Sequence, residues 1–148
     1  MGCEVENGIA TALLGMGFPC DAVAFIVKYW RAIQFLDDVK DGAPTSDADG
    51  AIYLLLIELP YDDFLAKHRT ALGPCVATAV HKWQAANMVE RQGATAHLDK
   101  SFMWRAGFYD AVLTVATLCM PADKVAENRL AILSLYGESH DKYVSEFS

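Results

Sequence analysis

The chain has 148 residues, enough for one domain with a real core, and its 53% hydrophobic content excludes a disordered segment. Its net charge is -7, and no Lys/Arg cluster marks a basic face, so direct binding to nucleic acid or to anionic lipid is not expected.

Five prolines (Pro19, Pro44, Pro60, Pro74 and Pro121) divide the chain into segments whose apolar pattern is helical or apolar all round. A short helix is expected over Gly8 to Met16. A central helix follows over about 21–40, with Asp21 as N-cap and Gly42 beyond its end. Ser46-Asp47-Ala48-Asp49 resembles a capping arrangement that opens a helix to about Leu59. Pro60 starts a short helix through Leu72, and Pro74 opens a long one over about 74–92. Gly93 to His97 reads as a turn, and Asp99 as the cap of a third central helix over about 99–119. Pro121 begins another helix, ending at Gly137. A last turn or two covers Ser139 to Phe147. Asn7-Gly8 does not join two alternating segments, so no hairpin is predicted. The expected fold is all-α, a single-domain helical bundle of about six to seven helices.

The longest apolar stretch, Phe102 to Met120, contains Arg105 and Asp110, which favours a buried core helix over a membrane span. The start Met1-Gly2-Cys3-Glu4 has no basic n-region, so secretion through a signal peptide is not expected. Cys3, Cys20, Cys75 and Cys119 are scattered, with no C-x-x-C, and the histidines form no H-x-x-x-H. A zinc site is not expected, and the cysteines read as reduced thiols.

The chemistry-bearing feature is the run Phe35-Leu36-Asp37-Asp38-Val39-Lys40-Asp41-Gly42, a D-D-x-x-D pattern. At 100° per residue Asp37 shares a stripe with Ile26, Trp30 and Ile33, and Asp41 follows one turn later. A carboxylate on an apolar stripe needs a cation, a donor or water. The Pro74 helix changes in the same way: Val76, Val80 and Trp83 lead to Asn87 and Glu90. The third central helix contributes Arg105, Tyr109 and Asp110.

Two readings follow. In the first, Asp37, Asp38, Asp41, Glu90 and Asp110 surround Mg²⁺, and Arg105, Tyr109 and Asn87 bind a small phosphate-containing ligand. In the second, these groups form a buried polar network that only fixes helix packing. Two lesser candidates read structurally. Glu138-Ser139-His140-Asp141 is a helix start capped by Ser139, because adjacent helical residues do not face each other. Cys75, beside Pro74 at a helix start, has no matched histidine and base for a nucleophilic role.

The D-D-x-x-D resembles the aspartate-rich motif of isoprenoid synthases, all-helical enzymes that bind prenyl diphosphates through Mg²⁺. That similarity is confined to the site: a second D-D-x-x-D is missing, and N-x-x-E is shorter than their second metal motif. From about Trp30 onward the chain resembles small all-helical proteins of tailed bacteriophages. The matching elements are the Phe35 to Gly42 run, Leu59-Pro60 with Phe64 and His68, Trp83 to Asn87 with Glu90, and Arg105 with Asp110. This resemblance implies a viral protein located in the cytoplasm of an infected bacterium or in the virion. Other phage proteins would be its partners, homo-oligomers are allowed, and non-enzymatic virion assembly is the alternative to phosphate chemistry.

Overall fold

The computed structural model describes residues 2–42, 48–135 and 137–147, and among these the fold is all-α. The chain divides into two compact units, Met1–Arg69 and Thr70–Ser148.

In the first unit, α1 (Gly2–Met16) buries Ile9, Leu13 and Met16, one face at helical spacing. The chain turns at Gly17, whose φ of 98° lies where a side chain would be strained. Phe18 is buried, and Pro19, in extended conformation, caps α2 (Cys20–Asp41). Asp21 therefore sits inside the first turn and not at the N-cap, and its carboxylate accepts from the Ala22 N–H at 2.9 Å. Pro19 takes the cap position because its φ is fixed and it has no N–H to leave unpaired. The C-terminal end is as expected: Gly42 adopts the left-handed conformation, φ 71°, and its N–H closes on the Asp38 and Val39 carbonyls.

Helix α2 supplies most of this unit's core, through Ala22, Val23, Phe25, Ile26, Tyr29, Trp30 and Ala32. Phe25 packs against Tyr29 and Phe64, with ring centroids 6.2 and 5.8 Å apart. No residue after Ala32 is fully buried, so the helix runs on past the core it serves. The capping arrangement expected at Ser46 and Asp47 lies outside the described residues. The helix α3 (Ala48–Tyr53) passes into a π-helical turn over Leu54–Glu58, closed by the Leu59 N–H on the Leu54 carbonyl at 2.9 Å. Helix α4 (Asp63–Lys67) starts later than Pro60 because Asp62 is its cap, accepting from the Leu65 N–H at 3.0 Å.

The second unit is built on α5 (Arg69–Gln92), whose first residue closes the first unit. The helix begins before Pro74 and passes through it. Pro74 removes one intrahelical bond in the second turn, near enough to the end for the helix to survive. Its fully buried positions are Leu72, Ala79, Ala86 and Asn87, whereas Val80, placed on the core stripe by its spacing, is 41% exposed. The expected helix over 99–119 is two helices, α6 (Leu98–Trp104) and α7 (Gly107–Cys119), broken at Arg105–Ala106. Gly107 explains the break: it is a poor helix former, and it lies where α7 meets α5. A Cβ on Gly107 would stand 2.8 Å from the Ala79 Cβ, so only glycine permits this approach. Beyond it α7 buries Phe108, Ala111, Val112, Val115 and Ala116 along one face. Pro121 caps α8 (Ala122–Leu133), which stops short of Gly137, and Ser139 caps α9 (His140–Ser145) as expected. No helix among the described residues is long and apolar enough to cross a membrane.

Candidate functional site

The most buried polar group in the second unit is assembled from α5, α6, α9 and the α6–α7 break. Asn87 and Glu90 stand one turn apart on the last stretch of α5. The break at Arg105 turns its guanidinium toward them. One nitrogen, Nη1, donates to the Asn87 Oδ1 at 2.7 Å and to the Glu90 Oε2 at 2.8 Å. The Arg105 and Glu90 side chains are only 14% and 8% exposed, so the opposite charges pair in a largely dry setting. Asn87 is itself buried and supplies a neutral acceptor to the same cation.

Tyr143 enters from α9. Its hydroxyl donates to the Glu90 Oε2 at 2.9 Å and lies 2.6 Å from the Ser101 Oγ. The Ser101 Oγ also lies 3.3 Å from the Ala86 carbonyl of α5, a second acceptor that competes for its one proton. Each hydroxyl has one proton. Because the carboxylate only accepts, the Tyr143 proton goes to Glu90, and the Tyr143 oxygen is then the acceptor for Ser101. Burial raises the Tyr143 pKa, and the Glu90 carboxylate raises it further, against the Ser101 hydrogen bond and the Arg105 charge. The tyrosine is thus kept as a neutral donor. Its ring rests on Phe102 and Phe147, at 5.4 and 5.2 Å between centroids. No buried side-chain nitrogen or oxygen among the described residues is without a hydrogen-bond partner.

Asp110 is not with this group. Its side chain is 49% exposed and pairs with Lys82 at 3.1 Å, a surface contact between α7 and α5. The physical reason is its place in the first turn of α7, after the break has reset the helical phase. Tyr109 packs edge-on against Phe108 at 5.7 Å. Cys75 lies in the second turn of α5, not at its start, and accepts from the Thr114 hydroxyl at 3.3 Å. Asp37, Asp38 and Asp41 belong to the first unit: Asp37 is half-buried, Asp38 is exposed, and Asp41 is exposed and 3.5 Å from the Lys40 Nζ. Among the described residues no group of three or more His, Cys, Asp or Glu is arranged to hold a metal ion.

No protein-family model, curated protein or solved structure matches this chain.

Sequence reasoning missed Ser101, Tyr143 and a second, part-buried pair, Lys28–Asp62. The Lys28 ammonium meets the Asp62 Oδ1 at 2.7 Å, while the other carboxylate oxygen caps α4. Asp62, just after Pro60 and before Phe64 and Leu65, carries a readable cap signature. Tyr143 and Phe147, four apart behind the Ser139 cap, mark a docked helix. Nothing local distinguishes Ser101.

Proposed function

We propose that this chain is a non-enzymatic helical adaptor of the kind that assembles with other proteins, and that its buried polar network fixes helix packing. The observation that carries this reading is the state of Glu90. One carboxylate oxygen, on a side chain 8% exposed, already takes donors from both Arg105 and Tyr143. A carboxylate so engaged holds α9 and the α6–α7 break onto α5.

The test is a thermal melt of EDTA-stripped protein with and without millimolar Mg²⁺, alone and with inorganic pyrophosphate. A ligand that binds the native state raises the midpoint by mass action. The packing reading expects no shift in the wild type, and expects Glu90→Gln to lower the midpoint whether Mg²⁺ is present or not. A rise with Mg²⁺ that Asp37→Asn abolishes would overturn it in favour of an acidic site for a metal and a phosphate ligand.

A further inference from the structure

The second unit contains a half-open hollow of about 160 Å³ between the end of α5 and α6. Ala85 and Ala86 form its floor beside Val89, and Trp104 stands as a wall. The hollow exists because alanines occupy the positions that face α6, where larger side chains would fill the space. Its size is that of a void that takes one benzene-sized group. Apolar side chains continue outward from it. Met88 lies three residues after Ala85, and Met103 three after Lys100, neighbouring positions on each helix surface. Met88, Trp104 and Met103 are 49%, 45% and 71% exposed. An exposed Trp on a small pocket, with exposed Met on the same two helices, is the composition of an interface centre, where one anchor side chain is received.

Lys100 is the one formally charged residue of the lining. Lys100 and His97 border the hollow, no acidic residue lines it, and Lys100 has no ion pair among the described residues. In a chain of net charge -7 such a local cationic edge stands out, and screening beyond about 8–10 Å lets it act independently of distant acids.

Building on the adaptor reading, we infer that this hollow is the anchor point for a protein partner: it receives a single Leu or Phe side chain from an acidic segment whose carboxylates face Lys100 and His97. A half-open hollow walled by an exposed tryptophan suits a side chain carried on a peptide better than an enclosed small molecule.

The experiment is selection of a displayed random-peptide library on the full chain, followed by binding of the enriched peptides to wild type and variants. The expected peptides place one bulky apolar residue among Asp or Glu. Their affinity falls at least about tenfold on Ala85→Trp, which fills the hollow, as for loss of an anchor contact. It falls several-fold on Lys100→Glu, an exposed change with no ion pair to lose among the described residues. Peptides lacking the acidic–apolar pattern, or affinity unchanged in either variant, would overturn the inference. Peptides that bind Ala85→Trp as well as wild type would move the partner surface elsewhere and leave the adaptor reading standing. No enrichment, with saturable benzoate binding lost in Ala85→Trp, would overturn it in favour of a small acid ligand.

Discussion

The hydroxyl of Tyr143 and the carboxylate of Glu90 lie 53 positions apart in sequence and 2.9 Å apart in space. This contact joins the last short helix to the end of the longest one, and Arg105 completes it at the α6–α7 break. A six-residue helix is too short to persist by itself. What holds α9 in place is therefore the side chain that it inserts: an aromatic ring among Phe102 and Phe147, tipped with a donor that the buried carboxylate needs.

Tyr143→Phe keeps the ring and deletes the hydroxyl. Glu90 retains Arg105, but Ser101 loses its closest partner. The expected loss is about 1–3 kcal/mol of unfolding free energy. Urea titration measures it, and amide exchange should show α9 opening before α5. A variant as stable as wild type, with α9 equally protected, would mean that ring packing alone holds the helix.

The same residue sets a pH limit. Its pKa is raised in the fold above the ordinary value of 10.0, by burial first and by Glu90. The native state therefore retains the proton more tightly than the unfolded chain. Its contribution to stability is complete below about pH 10 and is lost as pH rises through the folded pKa. Urea midpoints of wild type and Tyr143→Phe should thus converge on the alkaline side. Lysines titrate there too, but they are common to both proteins and cancel in the difference. Parallel curves from pH 8 to 11 would contradict this assignment.

Breaking the ion pair from one side is more harmful than deleting the hydroxyl. Glu90→Gln removes the carboxylate 2.8 Å from the largely buried Arg105 guanidinium, for an expected loss of about 3–5 kcal/mol. Replacing both residues, Glu90→Gln with Arg105→Gln, should recover part of this, because no lone charge is left. A double-mutant cycle isolates the coupling, expected at about 1–3 kcal/mol. Additive losses would show that the two side chains act through separate neighbours.

The helical class was legible because its signals are local. Pro19, Pro121, Gly42 and the Ser139 cap each fix a helix end by backbone chemistry at that residue. Glu90, Asn87 and Arg105 were legible as polar groups set in apolar surroundings. Their gathering follows from a break that periodicity cannot reveal, since residues 98–119 read as continuous helix apart from Gly107. That break also explains Asp110. A helix restarted at Gly107 carries a new phase, and Asp110 turns to Lys82 on the surface. The π turn at Leu54–Glu58 is equally hidden, because an extra residue in one turn leaves no compositional mark. Spacing with Val76 and Trp83 places Val80 in the core, yet Ala79 is the residue that α7 approaches, because close helix contact selects small side chains.

Asp62 combines two roles that conservative changes can separate. It caps α4 through one oxygen and holds Lys28 through the other. Asp62→Asn preserves a capping oxygen and removes the charge, so it reports the part-buried pairing. Asp62→Ala removes both, and should be less stable than the asparagine variant by about 1 kcal/mol, the usual value of an N-cap. Equal stability of the two would mean that the cap contributes nothing beyond the ion pair.

Gly107 gives the sharpest steric test. An added methyl would lie 2.8 Å from the Ala79 Cβ and 3.3 Å from its Cα, closer than real side chains approach. Alanine is otherwise the better helix former, by about 1 kcal/mol. The substitution therefore sets propensity against overpacking, and the clash with α5 should win because the opposing atoms belong to a short side chain and to backbone. Gly107→Ala is expected to lower stability by about 1–3 kcal/mol. Ala79→Gly added to it should relieve part of the clash, although glycine inside α5 has its own penalty of about 1 kcal/mol. A Gly107→Ala variant more stable than wild type in urea would show that α5 and α7 do not approach this closely, and that glycine serves the helix break alone.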